Sequence, residues 1–268
     1  MILKYFRNLG IICIALFSFF YTEKIANLTL EKNEIYQKIV RESPAYNIEA
    51  VNAEIDDNYI TPGLNGQSIS VKDSYYNMKN LNAFNDYYLV YDTSYPEVSI
   101  GGHKDKIITR GNSLKKSVSF ITEYDENIIN FFHSEKIPVA ILTSIDTFNV
   151  EEENEQLNYE SDRYSSMESI LNKYKKNTGI CYLNEANENA CRKKKKYLVE
   201  SKKIIDNTSF IDIKNSVESG DIYLIKKGSS LANLRLVIKT INYKDLKIVP
   251  LTSIISEERD WFNLSFLV

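Results

Sequence analysis

Histidine is the scarcest chemically informative residue in this chain, with 2 among 268 positions. Two histidines cannot build a three-histidine zinc site, nor supply two ligands and a separate histidine acid or base. Three cysteines exclude a four-cysteine zinc site. Gly 9 and Pro 5 fall below ordinary usage of about 7 % and 5 %, which disfavours glycine-rich repeats and phosphate-cradling loops. There is no basic excess to attract nucleic acid, since the net charge is −3. What is present is globular: 43 % hydrophobic and 26 % charged residues, in a length that suits one large or two small domains. Tyr 19 and Phe 12 support a substantial core or a carbohydrate-facing surface.

The N-terminus reads as an export signal. Lys4 and Arg7 precede an apolar run from Leu9 to Tyr21, closed by Thr22, Glu23 and Lys24. A basic flank, an apolar stretch and a polar exit make a signal peptide or signal anchor. The run is shorter than the roughly 20 residues of a standard span, and snorkelling lysines and arginine could stretch it. No small-x-small cleavage site follows, so the expectation is an uncleaved single-pass anchor over 1–24. It would place residues 25–268 outside the cytoplasm. The alternative is a buried N-terminal helix. In an oxidising compartment Cys181 and Cys191 should pair, which stabilises such a short loop by about 2.8 kcal/mol at most.

Beyond the anchor, apolar spacing predicts a helical spacer over 25–46, stopped near Pro44. Residues 47–112 carry Pro-Gly and Asn-Gly turn signals between β-prone stretches, an N-terminal strand-and-turn module. From 113 onward strands and helices alternate. SVSFIT is a strand, Glu126 to Ser134 an amphipathic helix, Val139 to Leu142 a buried strand. Met167 to Lys175 is a helix, GICYL and DIYLIK are strands, Leu231 to Ile241 is a helix, LKIVPL a strand and Thr252 to Glu257 a last helix. That alternation predicts a mainly parallel sheet or barrel. The acidic stretch from Glu151 to Glu168 and the basic run from Arg192 to Lys203 read as solvated faces. The basic run has a second reading, a patch for anionic wall polymers or phospholipid headgroups.

Three stretches then resemble the polysaccharide deacetylase family, in particular its membrane-anchored Gram-positive members: ITPGLNGQSISVKDSYYNMK, KIITRGNSLKKSVSFITEYDENIINFFHSEKIPVAIL and GDIYLIKKGSSLANLRLVIKTINYKDLKIVPLTSIISEE. The middle of the chain matches loosely, through NTGICYLNEANENAC. The resemblance implies an α/β fold of distorted (β/α) barrel type over 113–268, with a site at the strand carboxyl ends. It also implies a chemistry in which an Asp and two His hold a metal, a second Asp is the base and a late His the acid.

The residues at those positions have changed. Glu123 stands at the base position and Tyr124 where the metal Asp would be, with Asp125 next, suited to cap the following helix. Lys226 and Lys227 stand where the acid His would be, and no His-x-x-x-His occurs. His103 and His133 read as surface residues. The expectation is therefore a degenerate deacetylase-like envelope protein without metal catalysis. Glu123 and Asp125 are its candidate catalytic remnants; Tyr124, Lys226 and Lys227 are its candidate binding residues. It would take peptidoglycan, another wall glycan or a protein partner, and no cofactor. The alternative is an active zinc hydrolase of N-acetyl groups in wall polysaccharide.

Overall fold

The computed structural model describes residues 2–81 and 83–259, with backbone alone at 2–9, 23, 26 and 27. The chain divides into two units, one comprising Met1–Glu49 and Gly66–Ser94, the other Ala50–Asn65 and Tyr95–Val268. The 47–112 stretch thus contributes to both. Its strands are β1 (Glu54–Asp56), β2 (Tyr59–Thr61), β3 (Gly66–Ile69), β4 (Tyr91–Ser94) and β5 (Ile107–Ile108). Then follow β6 (Ser117–Glu123), β7 (Ala140–Thr143), β8 (Glu155–Asn158), β9 (Ile180–Tyr182) and β10 (Tyr197–Val199). The last are β11 (Lys203–Ile205), β12 (Ile222–Ile225) and β13 (Lys247–Ile248).

The first unit holds the helix Ile2–Glu31. No helix among the described residues is long and apolar enough to cross a membrane. The single-pass anchor expected over 1–24 therefore fails, and the cell-membrane placement with an extracytoplasmic bulk that rested on it loses its support. The reason is length. The uncharged run from Asn8 to Thr22 rises about 22 Å as a helix, against about 30 Å of hydrocarbon, and Arg7 and Glu23 bound it. The side chains of Lys4 and Arg7, the expected inner flank, lie outside the described residues. Asn33 caps the next helix, Glu34–Glu42, accepting from the Ile35 and Tyr36 N–H groups. Ile39, Ile69, Met78 and Leu89 form this unit's core, with β3 and β4 paired antiparallel.

The second unit is mixed α/β with two largely parallel sheets. One runs β11-β12-β6-β7-β8, with β13 also paired to β6; the other runs β1-β2-β5-β10-β9. Only β1 and β2 pair antiparallel among these. No described pairing joins β8 to β9 or β10 to β11. The seven residues of β6 are the centre, buried from Ser117 to Thr122. Burial on both faces is what a strand covered by helices requires. Phe120, Phe132 and Tyr223 stack on one side with Val118, Ile141 and Val237. Ile121, Leu142, Leu157, Leu224 and Ile254 pack on the other.

Three strands, β8, β10 and β11, are absent from the sequence reading, because each is three or four residues long with charged or amide neighbours. The acidic stretch is not a solvated loop. Glu152, Glu160 and Glu168 are buried, and the Glu155 carboxylate receives the Leu251 and Thr252 N–H groups that open the last helix, Leu251–Ile255. The basic run is likewise not uniformly solvated: Lys196 is 8 % exposed and bonds Glu168 and Asn177.

Candidate functional site at the strand carboxyl ends

Register brings the candidate residues together. Ile222 pairs with Ser119 and Ile225 with Thr122 in the parallel ladder, so Lys226 emerges beside Glu123 one step later. Lys226 Nζ lies 2.7 Å from Glu123 Oε1, and the Lys227 N–H donates to Glu123 Oε2 at 3.0 Å. Asp125 caps the helix Glu126–Glu135, accepting from the Asn127 and Ile128 N–H groups through Oδ1. Its Oδ2 accepts the Gly228 N–H at 2.9 Å. The turn Lys226-Lys227-Gly228 is thus bound to the end of β6 by both carboxylates. Gly228 has φ +77°, a conformation glycine adopts without the Cβ penalty.

Electrostatics follow from these contacts. Burial pushes the Glu123 carboxyl up, but the Lys226 and Lys227 hydrogen bonds and charges outweigh it and hold the group below its ordinary value. For Asp125, burial also acts upward, and the Gly228, Ile128 and Asn127 N–H groups prevail, again lowering it. Both remain ionised at neutral pH.

Two tyrosines belong to the same end of the strands. Tyr182 ends β9, and Tyr159 follows β8, with ring centroids 6.3 Å apart. Burial pushes the Tyr182 phenol up to about 12, with Tyr159, Glu200 and Glu123 contributing and a Ser201 backbone hydrogen bond opposing. Sequence reasoning missed Tyr159, Tyr182, Glu200 and Gly228. The available signal was that each lies at or just after a strand end, where such sites collect in parallel α/β folds.

Tyr124 goes elsewhere. Successive strand residues alternate faces, and Tyr124 lines a cavity of about 280 Å³ with Ile129, His133, Thr147 and Glu152. Its hydroxyl lies 3.5 Å from Glu126. His133 Nε2 sits 2.8 Å from Glu152 Oε1, and His103 Nδ1 sits 2.9 Å from the Ser99 carbonyl.

The residues at the strand ends do not fit a catalytic zinc. Such a site takes three protein ligands and an open position. Here Lys226 and Lys227 occupy the Glu123 oxygens, and backbone N–H groups occupy both Asp125 oxygens. Among the described residues no group of three His, Cys, Asp or Glu side chains could hold a metal ion. Cys181, at the middle of β9, is bonded to Cys191 with Cα atoms 6.1 Å apart, and Cys13 is free.

Solved structures share this mixed α/β fold. A mutant of BA3943, described as a CE4 family pseudoenzyme with restored enzymatic activity, matches 85 % of this chain and 100 % of its own. The TM-score is 0.55 at 18 % identity. Wild-type BA3943 from Bacillus anthracis, a CE4 family pseudoenzyme, gives 0.54 at 16 % identity over 85 % of this chain and 97 % of its own. At that identity the likeness is one of fold. No known family profile matches the sequence. An uncharacterised Bacillus subtilis (strain 168) protein, YlxY, is 30 % identical over 95 residues, which is 35 % of this chain. The match spans only 30 % of that relative's length.

Proposed function

We propose that this chain is a degenerate deacetylase of distorted (β/α) barrel type that binds a glycan at its strand carboxyl ends without metal catalysis. One observation carries the reading: the Lys226 ammonium lies 2.7 Å from Glu123, at the position of the expected base. A neighbouring cation and a divalent metal compete for the same carboxylate. At 4 Å two charges repel by about 4 kcal/mol with an effective dielectric of 20, which disfavours a dication beside Lys226. The Glu123–Lys226 pair and the Tyr159 and Tyr182 rings, each at a strand carboxyl end, are the kinds of polar group and aromatic face that a sugar site uses. The pseudoenzyme character of the structurally similar BA3943 supports the same reading.

The test uses N-acetylglucosamine oligomers and peptidoglycan with the full chain. Calorimetry should register binding that Lys226→Ala and Tyr159→Ala each weaken. Zinc should not copurify at one per chain, and no acetate should be released with zinc added. Chelator-sensitive acetate release would replace this reading with the hydrolase one, and absence of glycan binding would remove the ligand assignment.

A further inference from the structure

We propose a second binding site, at the amino ends of β5 and β10 and so opposite the strand-end site, that takes a polymer of phosphate groups. The loop Gly101, Gly102, Lys104 and Asp105 meets Arg192 and Lys195 around a cleft of about 400 Å³. Three of the six lining residues are cationic, and one is anionic.

The cleft is built from distant parts of the sequence. Arg192 leaves the helix Glu188–Lys193 and donates through Nη1 to the Asp105 carbonyl at 2.7 Å. Its Nε and Nη2 both lie 2.8 Å from Glu188 Oε1. The guanidinium is therefore held in one orientation before any ligand arrives, which lowers the entropy lost on binding. Lys104 rests on the Tyr197 ring, 4.5 Å from its centroid. Lys195, on the other wall, makes no ion pair among the described residues, and neither do its exposed neighbours Lys193 and Lys194.

Charge selects the ligand. Lys104, Arg192 and Lys195 line the cleft with Asp105 as the one acidic lining residue. Arg192 pairs with Glu188, Lys106 sits 3.8 Å from Asp105, and Lys193 and Lys194 are exposed beside them in the sequence. This local cationic excess lies on a chain of net charge −3. It is therefore a concentrated field, not a share of a general one. The cations extend past the cleft along Lys193 and Lys194, so a single phosphate would satisfy only part of them. A repeating chain of phosphates engages both the cleft and the run. No aromatic residue lines the cleft for a base to stack on, and the nearby Tyr197 face is covered by Lys104. That favours a base-free phosphate polymer over nucleic acid.

The probes are linear polyphosphate, inorganic phosphate, single-stranded DNA and vesicles containing an anionic phospholipid, each titrated against the full chain. Polyphosphate should bind most tightly and weaken steeply with added salt. Lys104→Gln with Lys195→Gln should weaken it roughly tenfold or more. The charge-matched control, Lys214→Gln with Lys239→Gln, should leave it within about twofold. Both doubles should keep the parent melting temperature. Equal losses in the two doubles would show a bulk charge effect and overturn the site. Phosphate binding as tightly as polyphosphate would overturn the polymer assignment, as would tighter binding of DNA or of the vesicles.

Discussion

Lys196 shows how misleading charge runs are at the residue scale. Five consecutive basic residues invite a single solvated reading, yet the last of them is 8 % exposed and paired with Glu168 at 5 %. Asn177 bridges the two, receiving from Lys196 and donating to Glu168. Burial, with the Glu168 charge next, raises the nearby Tyr164 phenol. Removing one member of a buried pair leaves the other charge uncompensated. Lys196→Met should therefore cost about 3–5 kcal/mol in urea denaturation, and adding Glu168→Leu should recover most of it. Lys226 contrasts with it. Its side chain is 42 % exposed, so Lys226→Ala should cost less than about 1 kcal/mol. A small cost at Lys196 together with a large one at Lys226 would reverse this assignment of structural and functional lysines.

Among the elements, the helix Glu188–Lys193 packs on the Cys181 face of β9, while Ile180 and Tyr182 belong to the larger core. Tyr164, Cys181, Cys191 and Leu198 pack as a cluster of their own, and the Cys181–Cys191 bond joins strand to helix across it. A short strand and a helix of six residues bury little area between them, so the covalent link contributes a large share of their attachment. Replacing both cysteines by serine should lower stability by up to about 2.8 kcal/mol. The loss should concentrate here: amide exchange should quicken in β9 and in the Glu188–Lys193 helix before β6 and β12 respond. Uniform quickening across all strands would show that the bridge acts on the whole unit. The same helix carries Arg192, so the cysteine variant should also weaken polyphosphate binding.

For the whole molecule, the shifted groups set a stability profile against pH. Glu123, Asp125 and Glu152 all have lowered pKa values; for Glu152, burial acts upward and the Asn154 and His133 contacts prevail. Unfolded, these carboxyls titrate near about 4. Their contribution is complete above that value and is lost as pH falls through the lower folded values, where the unfolded chain binds more protons. Tyr182 acts at the other end. Its phenol is raised to about 12, so the unfolded chain releases that proton first, and stability falls as pH rises above about 10. Urea midpoints should thus form a plateau between about pH 5 and 9. Glu123→Gln with Asp125→Asn and Glu152→Gln should flatten the acid limb; an unchanged acid limb would place the linkage elsewhere.

Local pattern alone determined the parts of this protein that are long and periodic. The β6 run SVSFITE, the helix after Asp125 with Ile128, Ile129, Phe131 and Phe132 inward, and the Leu231–Tyr243 helix were all legible, because apolar spacing and a capping carboxylate act over a few neighbouring residues. The presence of Lys226 and Lys227 after DIYLI was legible for the same reason. Tertiary structure alone decided what those residues do. Parallel register sets Lys226 against Glu123 across 103 positions of sequence. Strand alternation turns Tyr124 away from both, and the fold buries Glu152 and Lys196 inside runs that look solvated. Short strands such as β8 and β10 gain their hydrogen bonds only from partners distant in sequence, so no local signal could announce them. Charge has the same property: its cost and its use depend on which groups lie within a few ångströms, and chain folding alone decides that.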